Sequence, residues 1–292
     1  MARRRKKKQP QSIPLLVAAL LFALLLYWMG TEEENPPVPV SVQGTGAVHF
    51  IDVGQGDSVL ITTEAGAMLI DTGEAEYAQA VIDYIRGQGI DRLAYAVATH
   101  PHSDHIGGMA RIINEFPIET FIAPDALHTT ATFERMLDAL EASDLGITVP
   151  EINETFTLGE AVFTALSPDG TDFKDLNNAS VVLRLEFGGT RFLFTGDAEE
   201  SAEQKMLANG LNLACDVLKV GHHGSNTSSS AAFLQAVSPS VAVISCGADN
   251  SYGHPHREVV ERLDAIGAEI LRTDQEGHIV MVSDGTRVVV ME

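Results

Sequence analysis

The chain has 292 residues, of which 45% are apolar, and it carries 19 basic against 40 acidic residues. This length allows one large domain or two small ones, with enough apolar side chains for a sizeable core. The acidic surplus argues against a protein that grips duplex DNA by its backbone, because such proteins usually carry a basic surplus. Either the substrate is small, or a local positive metal site attracts it.

The N-terminal residues predict a membrane anchor. Six consecutive basic residues at positions 3–8 precede an uncharged apolar run from Ile13 to Met29. A run of this length lies at the short end of those that span a bilayer. It ends in Tyr27 and Trp28, which are typical of a membrane interface, and no small-residue cleavage site follows directly. A retained anchor is therefore favoured over a cleaved signal peptide.

Charge around the apolar run predicts how the chain is organised. Because basic residues stay on the cytoplasmic side of a span, the sequence predicts a basic cytoplasmic tail at 1–12 and a transmembrane anchor at 13–30. Residues 31–45 contain three prolines and predict an extended linker. Residues 46–292 are then expected to form one domain outside the cytoplasm.

Strand and helix signals alternate from residue 48 onward, without internal repeats or low-complexity tracts. Strands are predicted at 48–53, 58–62, 67–71, 93–98, 161–166, 180–187, 191–195, 217–220, 241–245, 269–272 and 278–282. Helices are predicted at 76–88, 132–142, 201–209 and 257–266. This alternation indicates a layered α/β architecture.

The densest group of metal-ligating side chains follows the apolar strand predicted at 93–98. His100, His102, Asp104 and His105 lie within six positions. Alternate residues of an extended segment project to the same side, and a following helix turn would bring Asp104 and His105 toward the same spot. Imidazole and carboxylate ligands suit zinc, iron or manganese. A metal site is therefore favoured over a solvated polar turn, because the group ends a core strand.

This run resembles the HxHxDH motif of the metallo-β-lactamase superfamily. Segments 50–58, 193–197, 219–225 and 252–256 are similar, in the same order, to motifs of the extracytoplasmic hydrolase domain of the ComEC DNA-uptake family. The resemblance extends from about Val48 to the C-terminus. It implies an α/β fold, the αββα four-layer metallo-β-lactamase sandwich. Together with the apolar run at 13–29, the expected architecture is this sandwich preceded by a single N-terminal transmembrane helix. The domain would be a stand-alone, membrane-anchored hydrolase.

The resemblance also implies a metal centre that holds two divalent ions, zinc or manganese. The metal ligands that it implies are His100, His102, Asp104, His105, Asp197 and His254. Asp197 would be the carboxylate that bridges the two ions, and His254 would complete the second site. His222 or His223 would be a ligand or a phosphate contact, and the sequence leaves open which of them faces inward.

Further residues are assigned to the surroundings of the metals. Asp71 is expected to orient the metal-binding loop, and Asp57 to contact the substrate or the histidine cluster, unless its glycine-rich turn is merely structural. Many superfamily members carry another metal-binding histidine where this chain has a stretch with Asn177 and Ser180. The absence of this histidine shifts the expectation toward a harder ion such as manganese. A centre with a single metal ion stays an alternative. Ser225 is expected to help hold phosphate oxygens.

These inferences predict a metal-dependent hydrolase outside the cytoplasm, a phosphodiesterase or nuclease that uses metal-bound hydroxide. Asp104 is expected to accept the proton of the attacking water. His222 or His223 is expected to hold the phosphate oxygens of a phosphodiester substrate such as DNA. The first alternative is an ester, thioester or lactam hydrolase with the same metal centre. The second is a non-catalytic binding module of the cell envelope, which would need vacant ligand positions.

Overall fold

The computed structural model describes residues 46–170 and 173–291. The predicted tail at 1–12, anchor at 13–30 and linker at 31–45 lie outside these residues. Within the described part, no helix combines the length and the apolar character needed to cross a membrane.

Two β-sheets form the centre of the fold. In the described residues the strands are β1 (Gly46–Phe50), β2 (Val59–Thr63), β3 (Gly66–Ile70), β4 (Leu93–Val97), β5 (Ile118–Ile122), β6 (Ile147–Thr148), β7 (Thr155–Leu158), β8 (Ala161–Ser167), β9 (Val182–Phe187), β10 (Thr190–Phe194), β11 (Val217–Lys219), β12 (Val241–Ile244), β13 (Glu269–Arg272), β14 (Ile279–Ser283) and β15 (Val288–Val290). The first sheet has the order β15-β14-β1-β2-β3-β4-β5-β6, and the second has the order β13-β12-β11-β10-β9-β8-β7. Neighbouring strands from β3 to β6 in the first sheet pair in parallel, and so do neighbouring strands from β10 to β13 in the second.

Helices connect the parallel strands and cover the sheets. They are α1 (Ala78–Gly87), α2 (Ser103–Ile106), α3 (Met109–Glu115), α4 (Ala131–Ala142), α5 (Glu200–Ala208), α6 (Ala231–Val237), α7 (Arg257–Ala265) and α8 (Thr273–Glu276), and single 3₁₀ turns cover Ala75–Tyr77, Leu176–Ala179 and Gly221–Gly224. In α1, the residues Val81, Ile82 and Ile85 are buried, a three-to-four-residue spacing that places them on one face. That face packs on the first sheet.

Four layers follow from the distribution of buried side chains. Phe50 of the first sheet and Phe163 and Phe194 of the second meet in the core between the sheets. Helices α1, α3 and α4 pack on the outer face of the first sheet. Helices α5, α6 and α7 pack on the outer face of the second. The predicted αββα sandwich is therefore confirmed for the described residues.

The predicted and observed elements differ at particular places. The strand predicted at 180–187 begins at Val182, because residues 176–179 form a turn and Ser180 follows it. The observed elements without a counterpart among the predicted ones are the helices α3, α6 and α8 and the strands β5, β6, β7 and β15. The other predicted elements begin and end within about three residues of the observed ones, which is the usual uncertainty of element ends.

The loops that follow β4, β10 and β11 lie together between the two sheets. The amide of Val181 donates to the carbonyl of Thr99 at 2.9 Å, and the amide of His222 donates to the carbonyl of Gly196 at 3.1 Å. These bonds join the loop after β4 to the start of β9 and the loop after β10 to that after β11. The fold therefore brings together the motifs that are far apart in the sequence.

Candidate metal centre

The loop after β4 presents its histidines as the sequence predicts. His102 has an extended backbone and directly precedes α2, which carries Asp104 and His105. His100 Nε2 lies 3.0 Å from His102 Nδ1, so the two alternate side chains project toward one point. The change from extended chain to helix brings His105 back to the same cluster, with its ring 4.1 Å from that of His100.

Asp71 determines how His105 is oriented. Its Oδ2 lies 2.8 Å from His105 Nδ1, and its Oδ1 accepts a hydrogen bond of 2.8 Å from the amide of Thr99. Because an ionised carboxylate only accepts hydrogen bonds, His105 carries a hydrogen on Nδ1 and directs Nε2 at Asp197 Oδ1, 3.2 Å away. These contacts suit the orienting role that is expected of Asp71, which stays a prediction.

The conformation of the tight turn after β11 determines which of its two histidines faces the metal-binding residues. His223 Nδ1 lies 3.0 Å from the carbonyl oxygen of Ser245, a pure acceptor, so its Nε2 is directed at the carboxylates. That nitrogen lies 3.3 Å from Asp104 Oδ2 and 3.5 Å from Asp197 Oδ2. His222 stands nearer the solvent, with 22% of its side chain exposed and Nε2 3.7 Å from Asp197 Oδ2. His223 is therefore the inward residue, and His222 lies at the opening.

The backbone of this turn is strained. His222 and His223 both have left-handed dihedral angles, with φ of 50° and 54°. Non-glycine residues adopt this region at a cost of about 1–3 kcal/mol each, and such strain collects at functional sites. Here the left-handed pair turns both imidazoles toward Asp197.

Four side chains offer donor atoms that all lie within 4.8 Å of one another, and these are Asp104, His105, Asp197 and His223. Three of their atoms are buried without a hydrogen-bond partner among the described residues: His105 Nε2, His223 Nε2 and Asp197 Oδ1. Buried polar atoms that lack partners are costly. A divalent cation would satisfy all three at once, so the residues present fit a metal ion.

The electrostatics of the cluster also favour a cation. Burial lowers the pKa of His105, but the charges of Asp197, Asp104 and Asp71 outweigh it and raise that pKa well above its usual value. The same opposition, with Asp197 and Asp57 as the main charges, raises the pKa of His223 well above its usual value. The buried carboxylates thus draw positive charge into the cluster. A metal ion would supply it without protonating the histidines.

A second set of donors flanks Asp197 on the side of the first histidines. Burial lowers the pKa of His100 well below its usual value, which keeps the ring in the neutral form that binds metals. His100 Nε2 lies 3.8 Å from Asp197 Oδ2 and adjoins His102. Asn177 also lines the cleft, and its Oδ1 is buried without a partner among the described residues. This amide oxygen stands in the stretch where a further histidine is missing.

His254 lies on the wall of the cleft, outside the four-donor cluster. Its ring lies nearly parallel to that of His223, with centroids 6.2 Å apart. Its Nδ1 lies 3.4 Å from Gln55 Nε2. The second histidine of the four-donor cluster is His223, from the turn after β11. Metal binding by His254 itself stays a prediction.

Asp57 and Lys219 form a buried ion pair next to His223, and the lysine is not among the site residues predicted from the sequence. Lys219 is 1% exposed, and its Nζ lies 2.8 Å from Asp57 Oδ2 and donates to the carbonyl of Val220 at 2.8 Å. Asp57 Oδ1 lies 3.3 Å from His223 Nδ1. Burial raises the pKa of Asp57, but the charges of Lys219 and His223 outweigh it and hold the pKa below its usual value. Asp57 therefore contacts the histidine cluster from behind.

The turn that carries Asp57 lies directly against the metal-binding loop. Asp57 donates its amide hydrogen to the carbonyl of Asp104 at 3.1 Å. A side-chain carbon on Gly56 would stand 2.4 Å from that carbonyl oxygen. The glycine is thus required for this close approach, and the turn is more than a simple connection between strands.

The remaining predicted residues divide between support and loop structure. Ser180 accepts the amide hydrogen of Asp197 at 3.0 Å, and its Oγ lies 3.4 Å from His100 Nδ1. Ser225 bonds to Thr227 within its own loop and does not line the cleft. Its expected contact with phosphate oxygens stays a prediction. Glu199 is an addition that the sequence does not predict; its Oε1 lies 3.4 Å from His222 Nδ1.

The centre opens into a cleft of about 430 Å³. Its walls include Gln55, His102, His128, Asn177 and Tyr252. No lysine or arginine is found among the described residues that line it. Concentrated positive charge at these walls would therefore have to come from bound metal.

The chain is similar to known proteins over most of its length. The profile of the metallo-beta-lactamase superfamily matches residues 51–248. The chain is 34% identical over 254 residues to ComE operon protein 3 of Bacillus subtilis (strain 168), an alignment covering 80% of this chain and 32% of that protein. It is also 34% identical over 279 residues to competence protein ComA of Neisseria gonorrhoeae, covering 91% of this chain and 38% of that protein.

These two relatives are much longer than this chain, which spans about a third of their length. Among solved structures, the metallo-beta-lactamase fold protein YhfI from Bacillus subtilis resembles the chain with a TM-score of 0.57. The sequences are 12% identical, and the match covers 82% of this chain and all of YhfI. This likeness concerns the fold alone.

Proposed function

The chain belongs to the metallo-beta-lactamase superfamily, and on this premise we propose that it is a metal-dependent phosphodiesterase that acts on nucleic acid. The observation that carries the proposal is the cluster of Asp104, His105, Asp197 and His223 around buried atoms that lack partners. All four positions of this cluster hold ligand-type side chains, which disfavours a non-catalytic binding module with vacant ligand positions.

The proposed division of labour follows from where the residues lie. Two divalent ions, zinc or manganese, would be held on either side of Asp197, one by Asp104, His105 and His223 and the other by His100 and His102. When bound, they would supply Lewis acidity that makes water a nucleophile near neutral pH. Asp104 has 27% of its side chain exposed at the cleft and would accept a proton from the attacking water.

Substrate binding is assigned to the side chains at the opening. His222 and His128 line the cleft together with Thr130 and offer hydrogen-bond donors for non-bridging phosphate oxygens. Asn177 offers an amide at the same wall. The choice of nucleic acid among phosphodiesters rests on the relatives, since the name of one of them refers to competence and the motifs resemble a DNA-uptake family.

A substrate panel tests the proposal. The purified full chain, loaded with manganese or zinc, is offered bis(p-nitrophenyl) phosphate, single- and double-stranded DNA, a thioester and a β-lactam. We expect turnover of the phosphodiesters and its loss after treatment with a chelator, because water activation depends on the metal. A preference for the thioester or the lactam would instead support an ester or lactam hydrolase and would overturn the proposal.

The variant His102→Ala sharpens this test. We expect it to remove most of the metal bound beside His100 and nearly all phosphodiester turnover, because a strong nitrogen ligand is lost. His256→Ala serves as the control for metal content, since its Nδ1 accepts a hydrogen bond from the amide of Asn226 and it is not assigned to the metals. The metal content of each variant is measured by metal analysis. An unchanged metal content in His102→Ala would show that His102 is not a metal ligand.

We further propose that the domain lies outside the cytoplasm, held by an anchor at 13–30 behind the basic tail. Support comes from the sequence alone, in the uncharged run of residues 13–29 that follows six basic residues. Protease added to intact cells with a permeabilised wall would digest the domain if this topology is right and would spare it if the domain faces inward.

A further inference from the structure

Tyr252 is an exposed aromatic side chain at the mouth of the cleft, and neither the sequence analysis nor the metal chemistry gives it a role. It is 65% exposed and lines the cleft beside His254. Its ring lies 5.6 Å from that of His254 with an interplanar angle of 21°, so the two rings stack. His254 in turn lies nearly parallel to His223. A row of rings therefore leads from the donor cluster to the solvent and ends in the face of Tyr252.

The turn that carries Tyr252 is ordered by its own hydrogen bonds. Asn250 Oδ1 accepts the amide hydrogen of His254 at 2.9 Å, and Asn250 Nδ2 donates to the carbonyls of His254 and Gly247 at 2.6 and 2.9 Å. One asparagine side chain thus fixes both ends of the turn. Because the turn is already ordered, a ligand that stacks on Tyr252 loses little free energy in immobilising it.

The charge of the cleft explains why such a platform would be needed. Outside the N-terminal basic segment the chain carries 13 basic against 40 acidic residues, and no lysine or arginine is found among the described residues that line the cleft. A nucleic acid can therefore gain little from contacts between its backbone and basic side chains, which usually dominate its affinity. Stacking of a base on an aromatic ring is the other large source of affinity for nucleic acids, and it needs no positive charge.

The dimensions favour one nucleotide unit over a duplex. The cleft encloses about 430 Å³, within the range of roughly 300–1,000 Å³ that is typical of sites for small ligands. A base that pairs within a duplex keeps its faces stacked on its neighbours, so its face is not available to Tyr252. Only an unpaired base can lie on this ring while its phosphate is at the metals.

We infer that Tyr252 is a stacking platform for an unpaired nucleobase, and that the site acts on single-stranded nucleic acid. This inference rests on the proposed phosphodiesterase activity, whose phosphate would lie at the metal centre. Tyr252 would be a binding residue that raises affinity for substrates with a base. It would leave the affinity for a base-free phosphate set by the metals and imidazoles.

The test uses a ligand that binds without being hydrolysed as a diester. The full chain, loaded with manganese, is titrated with 2-aminopurine deoxyriboside 5′-monophosphate, whose fluorescence falls when its base stacks. We expect quenching with the parent protein and with Tyr252→Phe, which keeps the ring. We expect Tyr252→Ala to raise the dissociation constant roughly 10- to 100-fold, the range for loss of one stacked base. Deoxyribose 5-phosphate, which has no base, should bind the three proteins about equally.

A second measurement compares strands. The KM for a single-stranded oligonucleotide should lie below that for the same sequence as a duplex, and Tyr252→Ala should remove most of this difference. Equal binding of the fluorescent nucleotide by Tyr252→Ala and the parent would overturn the inference, even if phosphodiesters are hydrolysed. Nucleotide binding that depends on Tyr252 without any hydrolysis of phosphodiesters would support the platform and overturn the proposed activity. The two failures are therefore distinguishable.

Discussion

Replacing Asp197 by asparagine is expected to lower the bound divalent metal toward one ion per chain and to reduce phosphodiester hydrolysis by several orders of magnitude. Asp197 is buried, with Oδ1 3.2 Å from His105 Nε2 and Oδ2 3.5 Å from His223 Nε2 and 3.8 Å from His100 Nε2. Its carboxylate therefore adjoins both donor sets. The amide removes a negative charge from between two cations, whose repulsion in a cleft of reduced dielectric then favours the loss of one.

Metal analysis of the parent and of Asp197→Asn, under saturating zinc and then manganese, measures this effect. Asp138→Asn on the exposed face of α4 is the matched control, since it removes an exposed carboxylate that is not a donor of the cluster. Circular dichroism should show that the fold is retained. If the parent itself binds a single ion and the variant keeps it, the site holds one metal and the bridging role of Asp197 is wrong.

Lys219→Met is expected to lower the free energy of unfolding by about 3–5 kcal/mol, the usual range when one member of a buried ion pair is removed. The methionine fills most of the space of the lysine. It removes the ammonium group that lies 2.8 Å from Asp57 Oδ2, so the charge of Asp57 stays buried without its partner. Since Asp57 Oδ1 lies 3.3 Å from His223 Nδ1, the substitution should also weaken metal binding at His223. Urea denaturation with and without manganese measures both effects.

The double variant Asp57→Asn with Lys219→Met removes both charges and is expected to recover most of the lost stability, because no unpaired buried charge remains. Lys174→Met is the control, as this lysine is exposed. If Lys219→Met is as stable as the parent, the ion pair of Asp57 and Lys219 does not stabilise the structure around His223. If the double variant is no more stable than Lys219→Met, the loss comes from packing and not from the unpaired charge.

Local sequence patterns predict much of the fold because the core strands are short apolar runs that end in glycine-containing turns. The strand over Leu93–Val97 and the ligands after it are readable together, since imidazoles and a carboxylate that directly follow a buried strand are typical of a metal site. Strand β5 escapes prediction because its pattern is interrupted by Glu119 and Thr120. Helix α6 has only two turns, too few for its periodicity to be distinguished from an apolar loop.

The site is less predictable because its depth depends on backbone conformation. The resemblance assigns His254 to the metals and leaves open which of His222 and His223 faces inward. Two consecutive left-handed residues decide between them, and residues other than glycine adopt that conformation too rarely for it to be predicted at two successive positions. Lys219 carries a signal that can be used elsewhere, a lysine at the end of an apolar strand. A charge in that position is buried in the fold and needs a partner.

The most direct test of the central claim is the location of bound metal. Crystals of the chain grown with manganese, and separately with zinc, are measured at wavelengths on either side of the absorption edge of each metal. We expect two anomalous peaks that share the carboxylate of Asp197, one beside Asp104, His105 and His223 and the other beside His100 and His102. The absence of any peak at Asp197 under saturating metal, or peaks only at surface carboxylates, would contradict the metal centre on which the proposed function rests.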